Sequence, residues 1–371
     1  MRYSRYGQDG PEVSALGFGV MRLPPRRQGE WGSVNFTRSI QVLRAALEAG
    51  VNFFDTHHNY HNGLSEEAIG RALKGQKRPV VIQTKTPFYK PEPLKYFQVL
   101  VEQALVKLGV GCIDYLLFHS MDMKMFTQRG KGFLKLTDWA MKKGYIRRRG
   151  FSSHDSVQNI KAFVDTGEFS AMLVSFNWLN PYVEEAIAYA AGKGMGVSVM
   201  NPLAGGMLSA ETAPIRRLLP AAAASAEIGL RYVLSTPGVN LALSGMNAVE
   251  QVEQNAATAS LDRPMTPAQR RAFVKRLDRL RLRGQRICTA CGYCMPCPHG
   301  VNIPENFQLL NRARLFGLLE SGRERFARLT RRKDGDHSAR ACRRCGACLP
   351  KCPNKVPIIR QLEQTAKLLG A

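Results

Sequence analysis

The chain has 371 residues, 44% of them hydrophobic, and a formal net charge of +24. That length accommodates one barrel-sized domain plus a small appendage, and the composition is ordinary for a globular protein. Residues 1–10 are polar with no apolar signal region, and no stretch has the apolar length of a membrane span, so a soluble cytoplasmic protein is expected. From residue 13 to residue 260 short β-rich runs alternate with helical patterns. Strands are predicted over 51–55, 80–84, 113–119, 146–151, 171–175, 196–200 and 239–243, with 13–17 as an eighth candidate. Helices are predicted over 39–49, 65–74, 94–108, 156–165, 183–193, 221–234 and 250–259. Eight such units in this length describe an α/β fold, a (β/α)8 TIM barrel. An open doubly wound sheet is the alternative. Its dinucleotide fingerprint is incomplete here, because Gly17-Phe18-Gly19 lacks a full GxGxxG leading into a helix.

Beyond the barrel, Thr266 and Pro267 cap a basic helix predicted over 268–283. Arg263, Arg270, Arg271, Lys275, Arg276, Arg279, Arg281, Arg283 and Arg286 face only Asp278 in this stretch. A second basic stretch holds Arg323, Arg325, Arg328, Arg331, Arg332 and Lys333. Such surfaces can dock nucleic acid, an acidic redox protein or an acidic ligand, or simply solvate helix faces. Eight of the nine cysteines fall in two runs, Cys288-x2-Cys291-x2-Cys294-x2-Cys297-Pro298 and Cys342-x2-Cys345-x2-Cys348-x3-Cys352-Pro353. Four thiolates so closely spaced suit a cubane better than zinc, whose sites usually combine two CxxC pairs across a longer loop. The pattern reads as a ferredoxin-type module with two [4Fe–4S] clusters, in which the fourth cysteine of each run ligates the other cluster. Cys288, Cys291, Cys294 and Cys352 are assigned to one cluster, and Cys342, Cys345, Cys348 and Cys297 to the other. The residues between the runs, 304–330, are predicted mostly helical. Cys112 stands apart and is expected to be a buried structural thiol.

Barrel chemistry sits at the C-terminal ends of the strands. Asp55, Lys85 and His119 fall at such ends, and Tyr60 follows in the adjoining loop. Residues 50–56, Gly-Val-Asn-Phe-Phe-Asp-Thr, are followed by Tyr60, Gly63, Ser65-Glu66-Glu67 and Ile69-Gly70; Thr84-Lys85 and Asp114-Tyr115-Leu116 leading to His119 come next. This set resembles the aldo-keto reductase signature over roughly residues 1–260. With the cysteine runs, the whole chain resembles the iron–sulfur aldo-keto reductases that carry a C-terminal dicluster module.

The residues' own chemistry agrees. A carbonyl receiving a hydride builds negative charge on oxygen and needs a proton donor. A phenol is a weak acid, and Lys85 can lower the pKa of Tyr60. Asp55 can hold Lys85, and His119 can hydrogen-bond the carbonyl oxygen. The resemblance further implies that Ser152 and Asn177 contact the nicotinamide end of NADP(H) or NAD(H). It assigns Ser244, Gly245, Met246, Gln251, Gln254 and Asn255 to the adenosine end, and the loop 202–206 to the pyrophosphate side. Ser153 stands where Asn is usual, Gln254 where Glu is usual, and Asn247 and Ala248 carry no cation for a 2′-phosphate. His57, His58 and His61 crowd the loop around Tyr60 as pocket lining or metal ligands. Trp31, Phe88, Tyr89, Met121, Met123 and Trp178 are an apolar pocket or loop packing.

The expected organisation is a barrel over 1–262, a basic linker helix over 263–286 and a dicluster domain over 287–371. The expected function is NAD(P)H-dependent reduction of an aldehyde or ketone, or oxidation of the corresponding alcohol, with clusters that carry electrons or brace the fold. The alternative is an electron-transfer protein whose barrel binds little or no nicotinamide and whose clusters exchange electrons with an acidic carrier, a ferredoxin or flavodoxin. A nucleic-acid-binding zinc protein has only charge and cysteine count behind it.

Overall fold

The computed structural model describes residues 1–27, 30, 32–87, 94–282, 288, 294–352 and 356–370. The chain divides into two compact units, one of Met1–Gly205 with Gly229–Thr266, the other of Gly206–Ile228 with Pro267–Ala371.

The first unit opens with a hairpin of β1 (Tyr3–Arg5) and β2 (Glu12–Ser14), paired antiparallel. Eight parallel strands then close a barrel: β3 (Leu16–Gly19), β4 (Phe53–Asp55), β5 (Val81–Pro87), β6 (Ile113–His119), β7 (Ile146–Ser153), β8 (Ala171–Ser175), β9 (Gly196–Met200) and β10 (Leu241–Ser244). β10 returns to pair with β3, with Ala242 opposite Leu16. The barrel is filled by Phe53, Val81, Leu117, Leu173 and Leu241, and Tyr6 of the hairpin joins this cluster. The Tyr6 ring packs edge-on against Phe53 and Tyr115 at 5.2 and 5.1 Å, and its hydroxyl meets Ser198 Oγ at 3.1 Å. The hairpin thus covers the N-terminal ends of the strands, leaving the opposite mouth for chemistry.

Three differences from expectation have physical causes. The candidate strand at 13–17 spans two elements, because the backbone leaves the hairpin at Ser14 and enters the barrel at Leu16. A helix over Met123–Lys142 was not expected. Its buried residues are Gly130, Phe133, Thr137 and Ala140, and Gly130 and Gly132, poor helix formers, stand in its middle. The predicted helix over 221–234 begins at Ser225.

In the second unit a helix over Pro267–Leu282 is followed by Ile303–Phe316, Leu319–Thr330 and Ile358–Leu369. The stretch 304–330 is mostly helical as predicted, divided into two helices at Gly317, which adopts φ 69° and donates its N–H to Arg312 O. The core of this unit is Val301, Ile303, Phe307, Phe326, Ile358 and Leu362, with Cys288, Cys297, Cys342, Cys348 and Cys352 packed against it. Among the described residues no helix is long and apolar enough to cross a membrane.

Candidate active site and cysteine cradle

The barrel places Asp55 at the last position of β4, Lys85 near the end of β5 and His119 at the last position of β6. Parallel pairing sets Lys85 opposite Leu117 and Asp55 opposite Gln83. Lys85 is only 2% exposed. Its ammonium donates to both oxygens of Asp55 at 2.7 Å and to Thr56 O at 2.6 Å. Gln83 donates a further bond to Asp55 at 2.7 Å. A buried ion pair persists only when its remaining hydrogen-bonding capacity is met, and these contacts meet it.

Tyr60 follows in a short 3-10 turn, with Lys85 Nζ 5.2 Å from the centre of its ring. His119 lies 6.5 Å from that ring and His57 5.1 Å. The phenol pKa is raised overall by burial, which outweighs the lowering by Lys85. Lys85 lowers the phenol pKa as expected, but burial sets the net direction: the phenol keeps its proton, and Lys85 limits the cost of losing it.

The histidines were legible in the sequence but their roles were not. Burial first, then Lys85, His58 and His154, push His119 down to about 4. Burial likewise lowers His57, to about 2, and also His58. All are neutral near pH 7. His57 Nδ1 accepts the Asn59 N–H at 3.2 Å, which leaves the proton on Nε2, buried without a hydrogen-bond partner. His61 accepts from Leu23 N at 3.3 Å and lies 3.2 Å from Ser33 O, so it joins two loops. Among the described residues no group of three or more His, Cys, Asp or Glu side chains is arranged to hold a metal ion. Met121 and Trp178 are fully buried and pack rather than line a pocket, while Trp31, Phe88 and Tyr89 lie outside the described residues.

The residues assigned to a nucleotide also lie at this mouth. Ser152 ends β7 beside Ser153 and accepts the Ser120 N–H at 2.9 Å. Ser153 donates to Met121 O. Asn177 donates to Asn201 O and accepts from Leu179 N and Asn180 N, each at 3.0 Å, so its amide is largely occupied. Ser244 accepts from Asn255 Nδ2 at 3.2 Å, Met246 is buried, and Gln251 accepts the Asn247 N–H at 2.9 Å. Gln254 is exposed on the helix Val249–Ala259. Gly245 and Gly205 leave open backbone here: a Cβ on either would come within 3.2 Å of the Arg22 side chain. Arg22, three residues past β3, was not singled out from the sequence. Its only signal there was its place in the first loop after a barrel strand.

In the second unit Cys297, Cys342, Cys345 and Cys348 line one small cleft, together with Ile303, Ile359 and Leu362. Burial raises Cys348, and Cys297, Cys342 and Cys345 raise it further. Cys294 is pushed up to about 11 by burial, then by Cys288, and also by Cys348 and Cys352. Crowded thiolates repel one another, so this donor set needs positive charge at its centre, and iron ions supply it. Thiol donors suit an iron–sulfur cluster by their chemistry, while no three of the described cysteines converge as they would on a single metal ion. Cys291 lies outside the described residues. Cys112 is half-buried, with its thiol 3.7 Å from Ile113 O.

The Aldo/keto reductase family model matches residues 15–225, and the 4Fe-4S dicluster domain model matches residues 287–358. An L-galactose dehydrogenase of Arabidopsis thaliana is 25% identical over 68% of this chain and 86% of its own length. An uncharacterized oxidoreductase of Schizosaccharomyces pombe is 28% identical over 67% of this chain and 82% of its own. Among solved structures, the holo form of an aldo-keto reductase from Bacillus halodurans superposes with a TM-score of 0.65 at 24% identity. It covers 74% of this chain and 96% of its own, a likeness of fold.

Proposed function

The chain belongs to the aldo/keto reductase family of oxidoreductases and carries a 4Fe–4S dicluster domain, and from that premise we propose that it interconverts a carbonyl and its alcohol with NADPH or NADH. The carrying observation is the buried Lys85–Asp55 pair beneath Tyr60, with His119 on the same barrel mouth. Bound reduced nicotinamide supplies a hydride to the carbonyl carbon. Tyr60 holds the proton that the carbonyl oxygen takes as it becomes a hydroxyl. Lys85 stabilises the phenolate left behind, and Asp55 holds the Lys85 side chain in place. His119, neutral because it is buried, orients the carbonyl by hydrogen bonding rather than by charge. Ser152, Ser244, Gly245, Met246, Gln251, Gln254 and Asn255 would hold the nucleotide, and the bare backbone at Gly205 and Gly245 fits such a ligand.

Tyr60→Phe deletes only the proton donor. It should cut carbonyl reduction roughly 10²–10⁴-fold while nicotinamide binding stays nearly intact. An unchanged rate would refute this mechanism.

Two [4Fe–4S] clusters are assigned to the eight cysteines of the two runs. The hydride step needs no single-electron carrier, so the clusters either brace the second unit or exchange electrons with an outside protein. For the latter, the basic surface favours an acidic carrier such as a ferredoxin or flavodoxin. Its reduction of the clusters should slow as salt rises, because the Debye length falls to about 8 Å at physiological ionic strength. Stopped-flow traces of wild type and of Arg279→Glu with Arg331→Glu, at low and high salt, test this. A salt-independent rate would leave the clusters as braces.

One observation favours the second reading, in which the barrel binds little nicotinamide: Asn177 and Ser153 are already committed to backbone partners. Titration with NADH and NADPH separates the two.

A further inference from the structure

Arg22 lies just past the first barrel strand, within the 3-10 turn Val20–Arg22. Its stem runs along Gly245: Cβ, Cγ and Cδ stand 3.2 to 3.4 Å from where a Cβ at that position would sit. Its guanidinium reaches Gly205, with Nη2 3.2 Å from the corresponding point. Gly245 follows the eighth barrel strand and Gly205 lies in the loop after the seventh. Side chains at either glycine would displace the arginine, and Gly205 sits at φ 72°, where an L side chain is strained. The side chain is therefore laid across two loops by the absence of neighbouring side chains. Among the described residues its guanidinium has neither a hydrogen bond nor a carboxylate partner, although it is exposed and has five donors to offer.

The loops after strands seven and eight are where TIM barrels commonly bind phosphate. A planar guanidinium meets phosphate oxygens with paired hydrogen bonds. We propose that Arg22 is the phosphate clamp of this barrel and that it grips the pyrophosphate of the dinucleotide. This deepens, and rests on, the nicotinamide reading given above. A dinucleotide with its reactive ring at Tyr60 and Lys85 and its adenosine at Gln251 and Gln254 must carry its pyrophosphate between them. Arg22 lies across the two loops in that interval. Asn247 and Ala248, nearer the adenosine end, have no charge to offer a 2′-phosphate. The clamp therefore acts on the part that NADH and NADPH share, and this chain holds its phosphate-binding cation on the first βα loop.

The test is a set of dissociation constants for NADH, NADPH and ADP-ribose, measured on the cluster-loaded full chain. Loss of a charge-assisted hydrogen bond is worth about tenfold or more in affinity. Arg22→Gln should weaken all three ligands by a common factor of about that size. Arg22→Lys, which keeps the charge without the fork, should lie between. Arg22 is exposed, so an unchanged melting midpoint is expected of both variants. Affinities unchanged in Arg22→Gln would overturn the proposal, and so would a loss confined to NADPH, which would place the guanidinium on the 2′-phosphate. If the wild-type protein binds none of the three, the nicotinamide reading itself falls and the clamp falls with it.

Discussion

His57, His119 and Lys85 meet in a space where one positive charge is already present. The His57 ring lies 4.2 Å from that of His119 and 4.2 Å from that of His58. Burial holds these imidazoles neutral, and the Lys85 ammonium adds to the effect at His57 and His119. The linkage sign follows. An unfolded histidine takes up a proton near pH 6.5, whereas His119 in the folded chain resists until about 4 and His57 until about 2. Below pH 6.5 the unfolded state binds more protons, so stability is lost as pH falls from 6.5 toward 4, and His57 extends the loss below that. Urea midpoints at pH 7 and pH 4.5 should drop across this window in wild type and drop less in His57→Asn. Equal slopes in the two proteins would mean that the imidazole is not held neutral. Two consequences of the same burial are opposite in kind. It keeps the His119 imidazole uncharged, and it keeps the Tyr60 phenol protonated, so both are hydrogen-bearing donors at neutral pH.

At the scale of elements, the barrel depends on how its N-terminal end is filled. Gly196 opens β9 directly under the Tyr6 ring, and a Cβ there would stand 2.8 to 2.9 Å from three ring atoms. Gly196→Ala must push the ring off Phe53 and Tyr115 and break its contact with Ser198. Overpacking of this kind costs typically about 1–3 kcal/mol. The urea midpoint should fall accordingly, while Tyr6→Leu in the same background should restore part of the loss by making room. An unshifted midpoint in Gly196→Ala would show the hairpin to be dispensable. Most of the barrel was readable before its structure was known: β6, β8 and β9 run as predicted, because short β-branched runs bounded by turn residues leave little ambiguity. The helix Met123–Lys142 escaped because Gly130 and Gly132 in its middle read as helix breakers, although the chain carries its helix through them. The helix Ile358–Leu369, also not anticipated, follows the second cysteine run, where the metal-binding pattern dominated the reading. Asp55, Tyr60, Lys85 and His119 were legible because strand ends and spacing name them. The side-chain path of Arg22 was not, because it depends on two glycines more than 180 residues away, and contacts across that separation leave no local pattern.

For the whole molecule, the two cysteine runs decide how the second unit is tied together. Cys294, third in its run, feels Cys288 of its own run and Cys352, fourth in the other. Cys348, third in the second run, feels Cys342 and Cys345 and also Cys297, fourth in the first. Around Cys348 three cysteines of the second run meet one of the first, and around Cys294 cysteines of both runs meet; this supports the crossed assignment proposed for the ferredoxin spacing. Cys294 also feels Cys348, so the two groups adjoin. Crossed ligation, as proposed, would make each cluster a staple between segments more than 40 residues apart in the chain, with the helices Ile303–Phe316 and Leu319–Thr330 lying between them in sequence. The cleft that holds Cys297, Cys342, Cys345 and Cys348 is walled by Ile303 and Leu362, both members of this unit's core. The cysteines and the core of this unit thus adjoin, and if both proposed clusters are present, anaerobic protein should carry about eight iron and eight sulfide per chain. On the proposed assignment, Cys352→Ala removes a ligand supplied by the second run to the cluster of the first. Iron should fall toward about four per chain, and the cluster that survives should be the one held by Cys297, Cys342, Cys345 and Cys348. A second variant, Cys297→Ala, should leave the opposite cluster. Paramagnetic resonance of the reduced proteins distinguishes the survivors, because the two environments differ in burial and in neighbouring arginines. If Cys352→Ala instead removes the cluster of its own run, each run binds its iron locally. The enclosed helices would then owe their position to packing of Phe307 and Phe326 alone.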